Sequence, residues 1–174
     1  DFQIRPCVYS ELGACADVII SSFYGETFKP PFRQIYRLGE LSRIQQNFPY
    51  DLSLHCMLVA TVNDTIVGFV DADSRTPNRP THYTYNPRPY LSDLCVHPDY
   101  RRMGIARALV VACEDFCRQL KYGPSSQNER TQELYIRVES SNAAAVRIYE
   151  SLGYAAVFNP DSEDGALLIL HKSL

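Results

Sequence analysis

Residues 94–106 read Leu-Cys-Val-His-Pro-Asp-Tyr-Arg-Arg-Met-Gly-Ile-Ala, and they confine the fold more than any other stretch. An apolar strand stops at His97-Pro98, because proline brings no N–H to a ladder and fixes its own φ. A polar turn follows, and a helix opens just after Gly104. Along it Ile105, Leu109, Cys113, Phe116 and Leu120 recur at helical spacing, which predicts a stripe facing a core. The turn also carries chemistry. A helix start leaves backbone N–H groups unpaired at the positive end of the macrodipole. Gly104 and Ala106 have almost no side chain, so an anion can approach that backbone closely. Arg101 and Arg102 add fixed positive charge and donors. With Met103 and Ile105 between them, these residues read as a pyrophosphate cradle. The alternative is a plain strand–turn–helix connection with two solvated arginines. The Gly-Lys-Ser/Thr ending of a P-loop is missing, and only one of the three glycines of a dinucleotide fingerprint is present.

A second segment narrows the choice. Residues 134–154 read Leu-Tyr-Ile-Arg-Val-Glu-Ser-Ser-Asn-Ala-Ala-Ala-Val-Arg-Ile-Tyr-Glu-Ser-Leu-Gly-Tyr, a strand, an Asn-headed helix and a glycine stop. Together the two segments resemble the GNAT family of N-acetyltransferases. The family's phosphate-binding pattern, Arg/Gln-x-x-Gly-x-Gly/Ala, stands here as Arg101, Gly104 and Ala106. Its later pattern, Asn-x-x-Ala-x-x-x-Tyr-x-x-x-Gly-Phe/Tyr, stands as Asn142, Ala145, Tyr149, Gly153 and Tyr154. The close resemblance covers residues 56–157, and the first 55 residues fit in element order alone.

The remaining chain is read from periodicity and punctuation. Strands are expected at 2–6, 56–62, 65–73, 90–97, 133–139, 154–158 and 166–172, and helices from Ser10, as N-cap, to Tyr24, then at 32–48, 105–120 and 143–152. Within 32–48, Ile35, Leu38, Leu41 and Ile44 predict a buried stripe. Asn63-Asp64 predicts a hairpin turn, and 74–89, 121–130 and 159–165 read as loops. The order βααβββαβαββ predicts an α/β fold in a single domain, 1–174. A mixed sheet of about seven strands carries helices on both faces. The resemblance adds that two neighbouring parallel strands splay apart at the cofactor site.

The resemblance also implies roles. The pantetheine arm of acetyl-CoA would lie in the splayed gap, against the backbone edge of Leu94, Cys95 and Val96. Asn142 would touch the cofactor as well as cap its helix. Tyr149 would protonate or stabilise the departing thiolate, although its spacing with Val146 and Leu152 also suits a core tyrosine. Cys95 as an acyl nucleophile is disfavoured, because strand cysteines usually pack and the family transfers acetyl directly. The general base is not obvious. An alkyl ammonium has a pKa of about 10.4, so its deprotonation at pH 7 costs about 4.6 kcal/mol. Many relatives that act on protein amines carry a Glu where this chain has Arg137, which cannot serve as a base. A water-relayed path near Tyr90 and Ser92, with Glu139, is the expectation. Asp93 and His97 are expected on the opposite face of the strand. Arg137 is read either as a contact to an acidic substrate group or as a salt bridge. The acceptor site implied by the family lies at 24–32 and 159–165, where Asp161, Glu163 and Asp164 read as a solvated tip or as an attractor of cations.

Composition limits the rest. No apolar run in the 174 residues is long enough to span a bilayer, and a net charge of −3 without a basic tract does not favour nucleic acid. Cys7, Cys15, Cys56, Cys95, Cys113 and Cys117 lie in apolar periodic segments and show no metal-ligand spacing, so reduced buried thiols and no metal are expected. That implies an intracellular reducing compartment, cytoplasmic or, if a transit peptide has been removed, plastid. The wording of 91–98 and 149–154 is similar to cyanobacterial and plastid members of the family. The implied function is transfer of an acetyl group from acetyl-CoA to an amine acceptor, a protein lysine or N-terminus, by a monomer or homodimer. The alternatives are a small-molecule amine as acceptor, a catalytically silent CoA-binding module that regulates a partner, and an αβ domain with no ligand.

Overall fold

The computed structural model describes residues 1–25, 27, 29–75, 89–120, 133–157 and 166–174. Its elements are β1 (Gln3–Pro6), α1 (Leu12–Phe23), α2 (Phe32–Gln46), β2 (His55–Val62), β3 (Thr65–Asp73), β4 (Tyr90–Val96), α3 (Ile105–Arg118), β5 (Glu133–Glu139), α4 (Ala143–Ser151), β6 (Ala155–Val157) and β7 (Leu167–Ser173). The order is the one expected. The loops expected at 121–130 and 159–165, with Asp161, Glu163 and Asp164, lie outside the described residues, as does most of 74–89.

The seven strands form one sheet in the order β1-β2-β3-β4-β5-β7-β6. Every neighbouring pair is antiparallel except β4 and β5. Between β2 and β3, Asn63 and Asp64 both take positive φ, 47° and 62°, which matches the twist of a tight hairpin. Alternation along the strands then sorts side chains onto two faces. Leu58, Val70, Leu91, Ile136 and Leu170 join Ile105, Leu109 and Cys113 of α3 and Tyr149 of α4. Met57, Val59, Phe69 and Cys95 join Leu12, Cys15 and Ile19 of α1 and Ile44 of α2 on the other face. The expected core stripe of α3 is in place, and a carboxylate accompanies it. Glu114 is 2% exposed, with Lys172 Nζ of β7 2.8 Å from both of its oxygens.

Two local expectations are corrected. Ser10 does not cap α1. The chain makes a 3-10 turn at Tyr9–Glu11, and Glu11 reaches back to accept from the Val8 N–H at 3.0 Å, so the turn takes over the capping task. In α2, Ile44 is buried and Leu41 packs beside it, but Ile35 and Leu38 are 61% and 60% exposed. A spacing of three drifts around a 3.6-residue helix, so Ile35 lies about half a turn from Ile44. The side of α2 that meets α1 is the one bearing Arg33 and Arg37, which bond Ser21, Gly13 and Asp17 of α1, and Ile35 and Leu38 point away from it. The six cysteines are free and buried. Burial pushes the Cys117 thiol up to about 12 and moves Cys56, Cys95 and Cys113 in the same direction, which makes them poor nucleophiles.

Candidate active site

β4 and β5 touch only at their starts. Tyr90 pairs with Tyr135 and Leu91 with Ile136, and no later pair is formed between them. The cause is on β4. Phe69 and Asp71 of β3 face Cys95 and Ser92, so β4 fits one extra residue against β3. That bulge centres on Asp93, whose φ is 57°. A bulge bends and twists its strand, and here it turns the end of β4 away from β5. Beyond the bulge, His97 N–H donates to Val67 C=O at 2.8 Å and Cys95 lies opposite Phe69. Antiparallel alternation therefore aims the backbone of Cys95 at β3 and that of Val96 at the opened side. Of the edge residues Leu94, Cys95 and Val96, the structure presents Val96 to the gap and commits Cys95 to the sheet. Cys95 is also 5% exposed, with its thiol pushed up by burial.

The gap leads to the start of α3. Arg102 and Gly104 both take left-handed φ, 63° and 83°. α3 then begins with Ala108 N–H donating to Gly104 C=O at 3.0 Å. Among the described residues, nothing accepts from the amides of Met103, Gly104, Ile105 or Ala106, as expected of a first helical turn. A Cβ placed on Gly104 would meet nothing within 4 Å, so the space above these amides is open. The first turn of α3 contains Arg107 and no acidic residue. That reverses the usual charge preference of a helix start and suits an anion held there. Arg101 also makes contacts within the protein. Its guanidinium donates to Val96 C=O at 3.3 Å and to Ser22 C=O at 3.0 Å, and Ser22 Oγ also donates to Val96 C=O at 2.9 Å. Arg101 therefore ties the end of α1 to the end of β4. Arg101, Arg102 and Arg107 are all exposed at the cradle, and the sequence reading passed over Arg107.

Asn142 caps α4 by accepting from Ala145 N–H at 3.2 Å. Tyr149, two turns into α4, is 4% exposed and meets Tyr154 edge-on, with centroids 5.8 Å apart. Burial, with Cys113 and Tyr90 nearby, pushes its phenol above the ordinary tyrosine value. The group is therefore a standing O–H donor at neutral pH. Giving its proton outright to a thiolate, whose conjugate acid ionises near about 8.5, runs uphill. Hydrogen-bonding to developing thiolate charge is what this phenol is suited to do.

On the α1–α2 side, the closed end of the gap is polar. One rung of the sheet runs His55–Asp73–Tyr90–Tyr135–His171 through five strands, and all five side chains titrate. His55 is 1% exposed, and its Nε2 lies 2.5 Å from Asp71 Oδ1. Asp71 Oδ2 accepts from Asn47 at 2.9 Å. Arg137 lies one position along β5 on this face, opposite Ile169, while Glu139 sits exposed at the strand end. The expected placement of Asp93 is corrected. The bulge breaks alternation and turns its carboxylate to Arg43 of α2 at 2.8 Å. Burial there outweighs the nearby guanidinium and pushes the Asp93 carboxyl above the usual range. His97 instead accepts from Asp99 N–H at 3.4 Å at the start of the turn before α3. Among the described residues, no three His, Cys, Asp or Glu side chains converge as metal ligands, and no helix is long and apolar enough to cross a membrane.

A bulge-opened parallel strand pair facing an anion-ready helix start is a pattern shared with known proteins. Residues 22–154 match the acetyltransferase (GNAT) family. The chain belongs to that family. A stretch of 64 residues is 38% identical to the [ribosomal protein bS18]-alanine N-acetyltransferase of Escherichia coli, and covers 37% of each chain. The N-alpha-acetyltransferase of Sulfurisphaera tokodaii is 24% identical over 149 residues, 78% of this chain and 84% of that one. The crystal structure of the PaiA N-acetyltransferase of Thermoplasma acidophilum, in complex with coenzyme A, has a TM-score of 0.64 at 18% identity. It covers 100% of this chain and 99% of its own, and shows the same fold. The mixed seven-stranded sheet is the GNAT fold.

Proposed function

We propose that this GNAT protein transfers an acetyl group from acetyl-CoA to the α-amine of a protein chain, within a single domain. The observation that carries the reading is the juxtaposition of the β4–β5 gap with the unpaired amides of Met103 to Ala106. The first would hold an extended thioester arm and the second a pyrophosphate. The open space above Gly104 and the exposed Arg102 and Arg107 fit that group. Arg101 shapes the mouth, Val96, whose C=O is taken by Arg101 and Ser22, offers its N–H to the arm, and Leu94 flanks it. Asn142 holds the start of α4, which positions the Tyr149 phenol to stabilise sulfur charge as the C–S bond breaks. The two relatives above are named for α-amine acetylation, which favours an N-terminal acceptor over lysine. The chemistry agrees. An α-amine ionises near about 7.8, so freeing it at pH 7 costs about 1 kcal/mol, against about 4.6 for lysine. A site with Arg137 on its face is better matched to the easier proton.

The test is labelling of a denatured lysate with isotopically heavy acetyl-CoA and mass spectrometry of the modified sites. Enzyme-dependent label on N-termini is expected. Label on lysines alone would move the acceptor to side-chain amines. Thermal stabilisation by acetyl-CoA with no label on protein or on a panel of small amines would support a silent CoA-binding module instead.

A further inference from the structure

The rung His55–Asp73–Tyr90–Tyr135–His171 contains two imidazoles with different surroundings. His55 is sealed and already paired with Asp71. His171 is reachable, with a side chain 30% exposed. Its ring stacks on Tyr135, centroids 5.8 Å apart and planes 23° from parallel. Nδ1 is buried and has no hydrogen-bond partner among the described residues, while Glu133 Oε2 lies 3.8 Å from it. The exposed part of the ring therefore lies toward Nε2. Tyr135 O–H donates to the same Glu133 oxygen, which fixes the carboxylate beside the imidazole. The rung crosses β4 and β5 at Tyr90 and Tyr135, their first pair, where the gap closes and toward which Tyr149 is near enough to sense Tyr90. His171 is also the diagonal neighbour of Arg137, because 171 pairs with 135 and 169 with 137. Diagonal neighbours of this kind stand about 7–8 Å apart.

We propose that His171 is the general base of acetyl transfer, with Glu133 orienting it through Nδ1. This rests on the acetyltransferase reading above. In the required tautomer Nδ1 carries the proton toward Glu133 and Nε2 is the acceptor. His171 Nε2 takes one proton from the acceptor ammonium. The freed nitrogen lone pair forms the C–N bond as the carbonyl π pair moves to oxygen. That pair re-forms C=O as the C–S bond breaks toward the Tyr149 O–H. The nitrogen's second surplus proton ends on the thiol, and the imidazolium releases its own to solvent. The charged and titratable groups facing His171 are Glu133, Tyr135 and Arg137 from β5 and Tyr90 from β4, while its β6 partner is Ala155.

The experiment measures kcat against pH for the full chain with an N-terminal alanine peptide, in wild type, His171→Gln and Glu133→Gln. Wild type should lose rate as pH falls and the imidazole charges. His171→Gln should lose about 100-fold or more in kcat, the usual scale for a general base. Its rate should climb without a plateau as pH rises, KM for acetyl-CoA should stay within twofold, and added imidazole should restore turnover to His171→Gly. Glu133→Gln should fall in the same direction by less. A folded His171→Gln with wild-type kcat and pH profile overturns the proposal alone. A wild type that binds acetyl-CoA but acetylates no amine overturns the function reading, and the proposal with it. Should the variants misfold, diethylpyrocarbonate on wild type decides. Activity must fall in step with carbethoxylation of His171, mapped by mass spectrometry, and loss tracking His97 instead overturns the assignment.

Discussion

At Gly68 the sheet lies close against α3, and its substitution tests how the start of that helix is held. It stands on β3 between Ala60 of β2 and Val96 of β4. A Cβ there would sit 3.1 Å from Ala60 Cβ, 3.1 Å from Leu109 Cδ1 and 3.2 Å from Ile105 Cγ2. Carbon atoms prefer about 3.5–4.0 Å, so each neighbour must retreat by about 0.3–0.5 Å at least. Ile105 and Leu109 are 1% and 0% exposed and have no slack to take up. Overpacking of this kind costs about 1–3 kcal/mol. Replacing glycine in a strand returns about 0.4–1 kcal/mol by restricting the unfolded chain. Gly68→Ala should therefore lose about 0.5–2 kcal/mol, a Tm drop of about 1–8 °C at this size. Gly68→Val, with two further methyls in filled space, should lose more. Both side chains displaced belong to the first two turns of α3, so coenzyme A affinity should weaken in the same order. Calorimetry gives Tm and titration gives Kd. A Gly68→Val protein with an unchanged or higher Tm would refute the claim that β3 contacts α3 at its packing limit.

Gly104→Ala meets no clash, yet forces a left-handed φ on a residue with a Cβ, at about 1–2 kcal/mol. It should lower Tm by about 2–8 °C at that strain and cost at least tenfold in coenzyme A affinity by titration calorimetry, about 1.4 kcal/mol, because the methyl enters the cradle. Glu114→Ala strands Lys172 against the core. Lys172 is 22% exposed and can reach water, so the loss in urea denaturation should fall near the lower end of the about 3–5 kcal/mol typical of a broken buried pair. Asn142→Ala removes the α4 cap and should cost about 1 kcal/mol, with a larger fractional loss in kcat because Tyr149 rides on that helix. Hydrogen bonding from Arg5, with the Val8 N–H, holds the Glu11 carboxyl below the usual carboxylate range. A depressed folded pKa adds stability that is present above the unfolded value and lost as pH falls through the folded one. The stability gap between wild type and Glu11→Gln should therefore be open at pH 7 and close as pH drops below about 4.

The local elements were legible because each rests on neighbours in sequence. The Ile105 stripe, the Asn142 cap and the Asn63-Asp64 turn depend on residues a few positions apart, where spacing and backbone preference act directly. The failures share one cause. Ser10 was displaced by Glu11 acting through a 3-10 turn, a choice between two nearby caps. Ile35 and Leu38 repeat with Leu41 and Ile44 at a spacing of three, which drifts around the helix, and α1 meets the side bearing Arg33 and Arg37 instead. Arg101 has the right charge for a phosphate, and what spacing does not show is its further bonds to the carbonyls of Val96 and Ser22, brought together by the packing of α1 on β4.

Asp93 carries the argument furthest. Strand alternation is a rule for unbroken strands, and the one-residue bulge at Asp93, with its left-handed φ, shifts its phase for every residue that follows. That one residue moves its own carboxylate to Arg43, sends the backbone of Val96 into the gap, and separates β4 from β5. The rung of titratable side chains exists because the bulge comes after Tyr90, so the first pair with β5 is kept while later ones are lost. Its far members arrive by strand order. β7 inserts beside β5 ahead of β6, which sets His171 beside Tyr135 although 36 positions separate them. No sequence periodicity encodes that adjacency. The residues most open to a motif search are those proposed to hold the cofactor, whereas the proposed base and its neighbours come together across strands, where only the register reveals them. A chain that gives Arg137 the place of a carboxylate can therefore still retain a base, provided the next strand supplies it.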